Sequence, residues 1–126
     1  MQARNPEDVD RLFAERMNAG DVDSVVALYE PTGVLLRQDR TPATGHAAIR
    51  EELSTLVAMR PRFQMNVHRV VMSGDVALLF NAWTLTMTPP GAPEPVTLTG
   101  NAREVVRRQA DGSWLFVIDD PDTNGG

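Results

Sequence analysis

Arg103-Glu104-Val105-Val106-Arg107-Arg108-Gln109-Ala110-Asp111-Gly112-Ser113-Trp114-Leu115-Phe116-Val117-Ile118-Asp119-Asp120 is the stretch that decides how this chain is read. Two runs rich in β-branched and aromatic residues flank Asp111-Gly112, a dipeptide that favours a tight hairpin because both residues tolerate positive φ. If those two residues form the turn, Glu104 stands directly opposite Asp119. Arg103 then faces Asp120 on the other side of the sheet, with β-carbons about 5 Å apart in each pair. Arg103 with Asp120 is an ordinary cross-strand ion pair. Glu104 beside Asp119 is not, because like charges side by side destabilise unless a cation lies between them or one carboxyl keeps its proton. One residue more or fewer in the turn would send the two acids to opposite faces. The hairpin also places Val105, Trp114, Phe116 and Ile118 on one face and Val106, Leu115 and Val117 on the other. Apolarity on both faces predicts a homodimer.

Upstream, the same period of two continues. Val96–Arg108 is preceded by the stiff loop Pro89–Pro95 and by a strand over Val76–Met87. Ser73-Gly74-Asp75 turns back into a strand in which Phe63, Met65 and Val67 alternate with Gln64, Asn66 and His68. Before Pro61 the period is helical. Asn5-Pro6-Glu7-Asp8 starts a helix, with Asn5 as cap and Pro6 at its first position, that carries Val9, Leu12, Phe13 and Met17 and ends at Asn18-Ala19-Gly20. Asp21 caps a shorter helix with Val22, Val25, Val26 and Tyr29, stopped by Glu30-Pro31-Thr32-Gly33. Val34–Arg37 reads as a short strand and Asp39–Gly45 as a loop. A third helix runs from His46 to about Met59, with Ile49, Leu53, Leu56 and Val57 on one face. Helices segregated from a run of strands predict an α+β fold. Three helices cannot cover both faces of a four-stranded curved sheet, which again favours a second copy on the bare face.

The 126 residues suit one domain, 1–126, with 1–4 and 121–126 as loose tails. Apolar residues make up 42% and charged residues 23%, a globular balance. The absence of cysteine excludes disulfides, thiolate nucleophiles and cysteine-ligated metal. A net charge of −5 with scattered arginines argues against nucleic acid. No signal-like or membrane-length apolar run is present, so the expected address is cytoplasmic. His46 and His68 on separate elements make a poor metal site, and no metal or cofactor is expected. No P-loop, dinucleotide fingerprint or Ser-His-Asp spacing occurs.

Three stretches resemble a known superfamily: Phe13–Asp21 through Leu28-Tyr29-Glu30, Gly45-His46-Ala47-Ala48-Ile49-Arg50, and the ending Arg108–Pro121. They are similar to the SnoaL-like and ketosteroid-isomerase-like proteins of the nuclear-transport-factor-2-like superfamily. The resemblance implies a cone: a curved antiparallel sheet wrapped around three N-terminal helices. It does not imply one activity, since isomerases, cyclases, hydrolases, dehydratases and proteins without known catalysis share this shape. The ketosteroid isomerases use an oxyanion hole of a tyrosine and a protonated aspartate, with a second aspartate as base. By resemblance those positions fall on Phe13, Glu104 and Arg37. Phe13 cannot donate and Arg37 cannot accept a proton, so steroid isomerisation by that mechanism is rejected. Asp39, two residues past Arg37, is the candidate for a displaced base.

The resemblance also puts Glu104, Asp119 and Arg37 together on the concave face. Such a cluster serves as acid–base machinery, with Arg37 stabilising negative charge, or as a structural salt-bridge network closing the cone. Both readings stay open at this point. Phe13, Phe80, Val106, Val117 and His68 are the candidate ligand-binding residues, with Phe80 placed inward by the resemblance. For His68, exposure or a dimer contact is the simpler reading. The expected ligand is an apolar, partly oxygenated small molecule, and the expected chemistry is cofactor-free isomerisation, cyclisation or dehydration. The competing expectation is a non-catalytic dimeric module that binds a ligand or partner.

Overall fold

A computed structural model describes residues 1–122. In chain order the elements are α1 (Asp8–Asn18), α2 (Val22–Val26), β1 (Tyr29–Leu36), β2 (Pro42–Thr44), α3 (His46–Val57), β3 (Arg62–Ser73), β4 (Val76–Met87), β5 (Val96–Arg108) and β6 (Trp114–Asp120). The strands form one sheet in the order β2-β1-β6-β5-β4-β3, antiparallel throughout except where β1 runs parallel to β6. The α+β cone is therefore as expected, but with six strands rather than four.

The two extra pieces of sheet come from segments whose composition argues against strands. Pro42 sits in β2, an edge strand, where a missing N–H costs no ladder bond. β1 starts at Tyr29 instead of Val34 because Phe116 N–H donates to Leu28 O at 2.8 Å and Tyr29 pairs with Phe116. Helix α2 is accordingly only Val22–Val26, and Tyr29 is a strand residue. Helix α1 begins at Asp8 rather than Pro6, since Asn5–Glu7 form a turn in which Asp8 Oδ2 accepts from Asn5 N at 3.2 Å. Residues 1–4, expected as a loose tail, lie against the sheet: Ala3 is buried and its carbonyl accepts from Trp114 N at 3.0 Å. The expected C-terminal tail begins with the ordered residues Pro121 and Asp122, and its remainder, 123–126, lies outside the described residues.

The core fills the concave side of the sheet. Val9, Leu12, Phe13 and Met17 of α1 and Ile49 and Leu53 of α3 are buried against Leu79, Val106, Trp114 and Phe116. Phe13 meets Phe63 edge-on at 5.5 Å and Phe116 at 6.1 Å. Asn18 ties the end of α1 to β3, because its side chain accepts from Phe63 N at 2.7 Å and donates to Phe63 O at 3.1 Å. That pair copies one rung of a ladder and fixes how far along the sheet α1 lies.

The last hairpin differs from the two-residue reading in two places. Gln109 N–H donates to Ser113 O at 2.7 Å and Gly112 N–H to Gln109 O at 2.9 Å, so the loop is Ala110-Asp111-Gly112. Gly112, at φ 86°, supplies the left-handed residue that such a loop needs. This extra residue alone would set Glu104 against Ile118. The register shifts back one step later: Val106 faces Phe116, Val105 faces Ile118, and Val117 is the unpaired residue of a β-bulge. Glu104 therefore does face Asp119, and Arg103 faces Asp120. The bulge also redistributes the apolar residues. Trp114 and Phe116 point into the core, whereas Ile118 is exposed on the outer face with its partner Val105.

Candidate functional site

Along β4 the buried residues are Ala77, Leu79, Asn81 and Leu85, and along β5 they are Gly100, Ala102, Glu104 and Val106. The register joins Leu79 to Glu104 and Glu104 to Asp119, so both acids enter the same interior from neighbouring strands. Asp10, one residue along from Val9 on α1, comes down onto them from the helix side. Asp10 is 1% exposed, Glu104 3% and Asp119 4%.

Their partners are few. Tyr29, itself buried, donates its Oη–H to Asp119 Oδ2 at 2.6 Å. Asn81 Nδ2 donates a long 3.4 Å bond to Glu104 Oε2. Asp10 Oδ1 and Oδ2, Glu104 Oε1 and Asn81 Oδ1 are buried with no donor from outside the acid cluster. Among the described residues, no ion pair links any of these acids to a cation. Burial is the main force on all three, since an ionised carboxylate away from water is costly. It pushes Asp10 up to about 6, against a hydrogen bond with Glu104 that pulls it down. It pushes Asp119 up to about 7, with Tyr29 opposing and the charges of Asp10 and Asp120 adding. Glu104 lies well above the ordinary carboxyl range through burial and then the charges of Asp10 and Asp119. Asp10 and Glu104 carry no hydrogen when ionised, so a hydrogen bond between them requires that one keep its proton.

Arg37 is not part of this cluster. β1 ends at Leu36 and the chain turns back into β2, which directs the guanidinium to Glu52 Oε1 of α3 at 2.6 Å and Pro42 O at 2.9 Å. The salt-bridge reading of the cluster loses its cation with that placement. Asp39 is also elsewhere: exposed, it accepts from Thr41 N at 3.0 Å and Thr41 Oγ1 at 2.6 Å, and the Thr41 hydroxyl holds it below its usual value. Phe80 faces outward, the reverse of the expectation, because Asn81 is the residue turned inward; Arg69 Cζ lies 5.4 Å from the centre of the Phe80 ring. His68 is exposed where the β3–β4 register shifts, Val117 is the bulge residue, and Phe13 and Val106 are packed core.

Sequence reasoning missed Asp10, Tyr29 and Asn81. Asp10 precedes Phe13 by three residues and Met17 by seven, the spacing of one helix face, and an acid in that stripe was the available signal. His46 is half-buried, and its Nε2–H donates to Tyr29 O at 2.8 Å, holding the tyrosine in place from the start of α3.

Neither of the two best-formed cavities among the described residues is lined by the acids. One, of about 570 Å³, is a groove of mixed polarity across β3, β4 and β5, lined by Gln64, Asn66, Trp83, Thr84, Thr99 and Gly100. The other, of about 270 Å³, lies between the first residues, Arg16 and Trp114. Among the described residues no group of His, Cys, Asp and Glu is arranged to hold a metal ion.

Helices lining the inside of a curved six-stranded sheet, with ionisable groups buried at its centre, define a cone of the nuclear-transport-factor-2-like class. The chain belongs to the SnoaL-like domain family, whose model matches residues 2–117. Solved structures agree on the fold. A ketosteroid isomerase-like protein from Erwinia carotovora atroseptica is 24% identical, with a TM-score of 0.74 over 90% of this chain and 89% of that one. An NTF2-like protein with a cystatin-like fold from Novosphingobium aromaticivorans is 17% identical, with a TM-score of 0.77 over 94% and 80%. A protein from Catenulispora acidiphila, solved in complex with S-DNPA, is 18% identical, with a TM-score of 0.73 over 90% and 86%. No curated protein matches the chain. No helix among the described residues is long and apolar enough to cross a membrane.

Proposed function

We propose that the chain binds a small apolar, partly oxygenated molecule in the cone and moves a proton on it, in a cofactor-free isomerisation, cyclisation or dehydration. The observation that carries this reading is the burial of Asp10, Glu104 and Asp119 together with no cation. Such a group retains a proton at neutral pH, so an acid and a base stand side by side. Asp119 is the base, because Tyr29 gives its ionised form a short bond; Glu104, with only the long Asn81 contact and facing Asp10, is the acid. A purely structural role would be served better by apolar residues of the same size, since unpaired buried acids cost stability.

Deuterium wash-in tests the proposal. Wild-type protein in heavy water is expected to catalyse exchange into at least one member of a panel of enolisable ketones and cyclic alcohols. Glu104→Gln and Asp119→Asn each lose it about a hundredfold, the usual size of a general acid–base contribution. Ligand-induced stabilisation without exchange in any member would favour the non-catalytic module instead.

That second reading, or a dimeric form of the first, draws on the outer face. There Val71 faces Leu78, Leu78 faces Val105 and Val105 faces Ile118, an apolar row running across four strands, with Val71 and Ile118 more than 40% exposed. A second copy of the chain, in the cytoplasm, is the proposed occupant. Sedimentation is expected to give a dimer for the wild type and a monomer for Ile118→Lys; a monomeric wild type contradicts it.

A further inference from the structure

On the outer face of the sheet the chemistry changes from rung to rung along β4. The rung at Leu78 is apolar and belongs to the row assigned above to a second copy of the chain. The next rung is cationic. Arg69 lies opposite Phe80 and Phe80 opposite Arg103, and residues opposite one another in a sheet project to the same side. That side is the outer one, because Leu79 and Asn81, the neighbours of Phe80 in the chain, are buried. Arg69 Cζ stands 5.4 Å from the centre of the Phe80 ring, and the His68 ring is centred 6.5 Å from it. Asp120, opposite Arg103, gives both carboxylate oxygens to Arg40 at 2.7 and 3.2 Å. The cross-strand ion pair expected between Arg103 and Asp120 is therefore not made. Arg69 and Arg103 are both exposed, and among the described residues neither forms an ion pair. Two cations thus flank Phe80 without a counter-charge, although the chain as a whole carries −5.

The rungs beyond are neutral and polar. Asn66 faces Ala82, and Gln64 faces Thr84, which in turn faces Thr99. By the alternation of a strand these residues share the outward side of Phe80, and all five line the groove of about 570 Å³. The depression follows from side-chain size. Along the outer side of β4 the residues shrink from Phe80 to Ala82, while longer side chains stand on β3. No charged residue lines the groove itself, so its cations lie at one end, one rung away.

We propose that this groove, on the other face of the sheet from the acids, binds a sugar phosphate. The phosphate lies between Arg69 and Arg103, whose Cα atoms are two strand spacings, about 10 Å, apart. Their guanidinium forks match its oxygens. The sugar hydroxyls lie along Gln64, Asn66, Thr84 and Thr99, each of which both donates and accepts, as a hydroxyl does. An uncharged sugar leaves the guanidinium groups unanswered, and a bare phosphate leaves the groove to water.

The test uses the full chain with glucose 6-phosphate, glucose and inorganic phosphate. Nitrogen–proton correlation spectra follow the side-chain amides of Gln64 and Asn66, with that of the inward-facing Asn81 as control. Glucose 6-phosphate is expected to move the first two and leave the third in place. Its affinity is expected to exceed those of glucose and inorganic phosphate at least about tenfold, the effect of one hydrogen bond to a charged group. Arg69→Gln and Arg103→Gln each weaken it about tenfold, and Arg103→Gln, which touches no core residue, suffices if Arg69→Gln does not fold. Asn66→Ala brings the affinity toward that of inorganic phosphate. Amide signals of Gln64 and Asn66 that do not move with glucose 6-phosphate overturn the site. Affinity unchanged by the arginine substitutions overturns the anion clamp, and equal affinity for glucose 6-phosphate and inorganic phosphate overturns the sugar.

Discussion

Raising the pH from about 5 to about 8 is expected to lower the melting temperature by roughly 10 °C, and Glu104→Gln to reduce that loss by the share that Glu104 and Asp10 carry, while Asp119 keeps its own. The direction is opposite to ordinary acid denaturation and follows from linkage. Asp10 and Asp119 hold their protons in the folded chain up to about 6 and about 7, and Glu104 higher still, whereas the unfolded chain releases them at ordinary carboxyl values. Between those limits the native state binds more protons, so stability falls as the pH rises. The contribution is fully present below the ordinary carboxyl range and is lost as the pH passes through about 6 to 7. At about 1.4 kcal/mol per pH unit, a loss on the order of 3 kcal/mol is expected for the cluster, which titrates as a set. Asp21, Asp39 and Asp111, held low by Ser24, Thr41 and Ser113, act in the other direction but only in more acidic solution, so the two windows separate. Gln at position 104 keeps the shape, removes one charge and gives Asp10 a donor. Thermal unfolding by circular dichroism across this range measures both effects. A melting temperature that is flat or rises toward pH 8 contradicts the buried-proton account.

Tyr29→Phe is the second large effect. Phe keeps the ring contact with Phe116, whose centre lies 4.8 Å away, and removes only the hydroxyl that bonds Asp119. Asp119 is then a buried carboxyl without a donor, and its proton affinity rises further, because the bond to Tyr29 is what opposes burial. A rise of at least about one pH unit is expected, which lowers the ionised fraction at neutral pH about fivefold. In exchange kinetics the acid limb of the kcat/KM profile moves up by the same amount, and activity recovers at high pH, a pattern that a merely structural loss does not produce. An unmoved profile would remove Tyr29 from the site.

The fold was legible because its signals are local. The alternation of Phe63, Met65 and Val67, the stripe Val9-Leu12-Phe13-Met17 and the break at Pro61 each mark an element that is present. The Glu104–Asp119 pairing was legible for a less secure reason. The turn is one residue longer than Asp111-Gly112 suggests, and a bulge at Val117 restores the register. Nothing in the unbroken run Leu115–Ile118 marks that bulge, since all four residues suit a paired strand equally well. Arg37 was misplaced because the end of a strand, not its pattern, sets where the last side chain goes. Here Pro42 and Glu52 capture it. Asp10 was hidden by the first-turn position of its neighbours, where acids usually answer the helix dipole. Asn81 was obscured because Phe80 beside it is the more apolar residue, and only the packed sheet shows that the polar one faces in.

The account stands on a proton retained among three buried acids. Carboxyl-carbon NMR of protein labelled at Asp and Glu, titrated from about pH 3 to about pH 9, observes it directly. The account predicts resonances of Asp10, Glu104 and Asp119 that shift together near neutrality and are unaltered by Arg37→Ala. Three independent transitions near the ordinary carboxyl value of about 4 would contradict it.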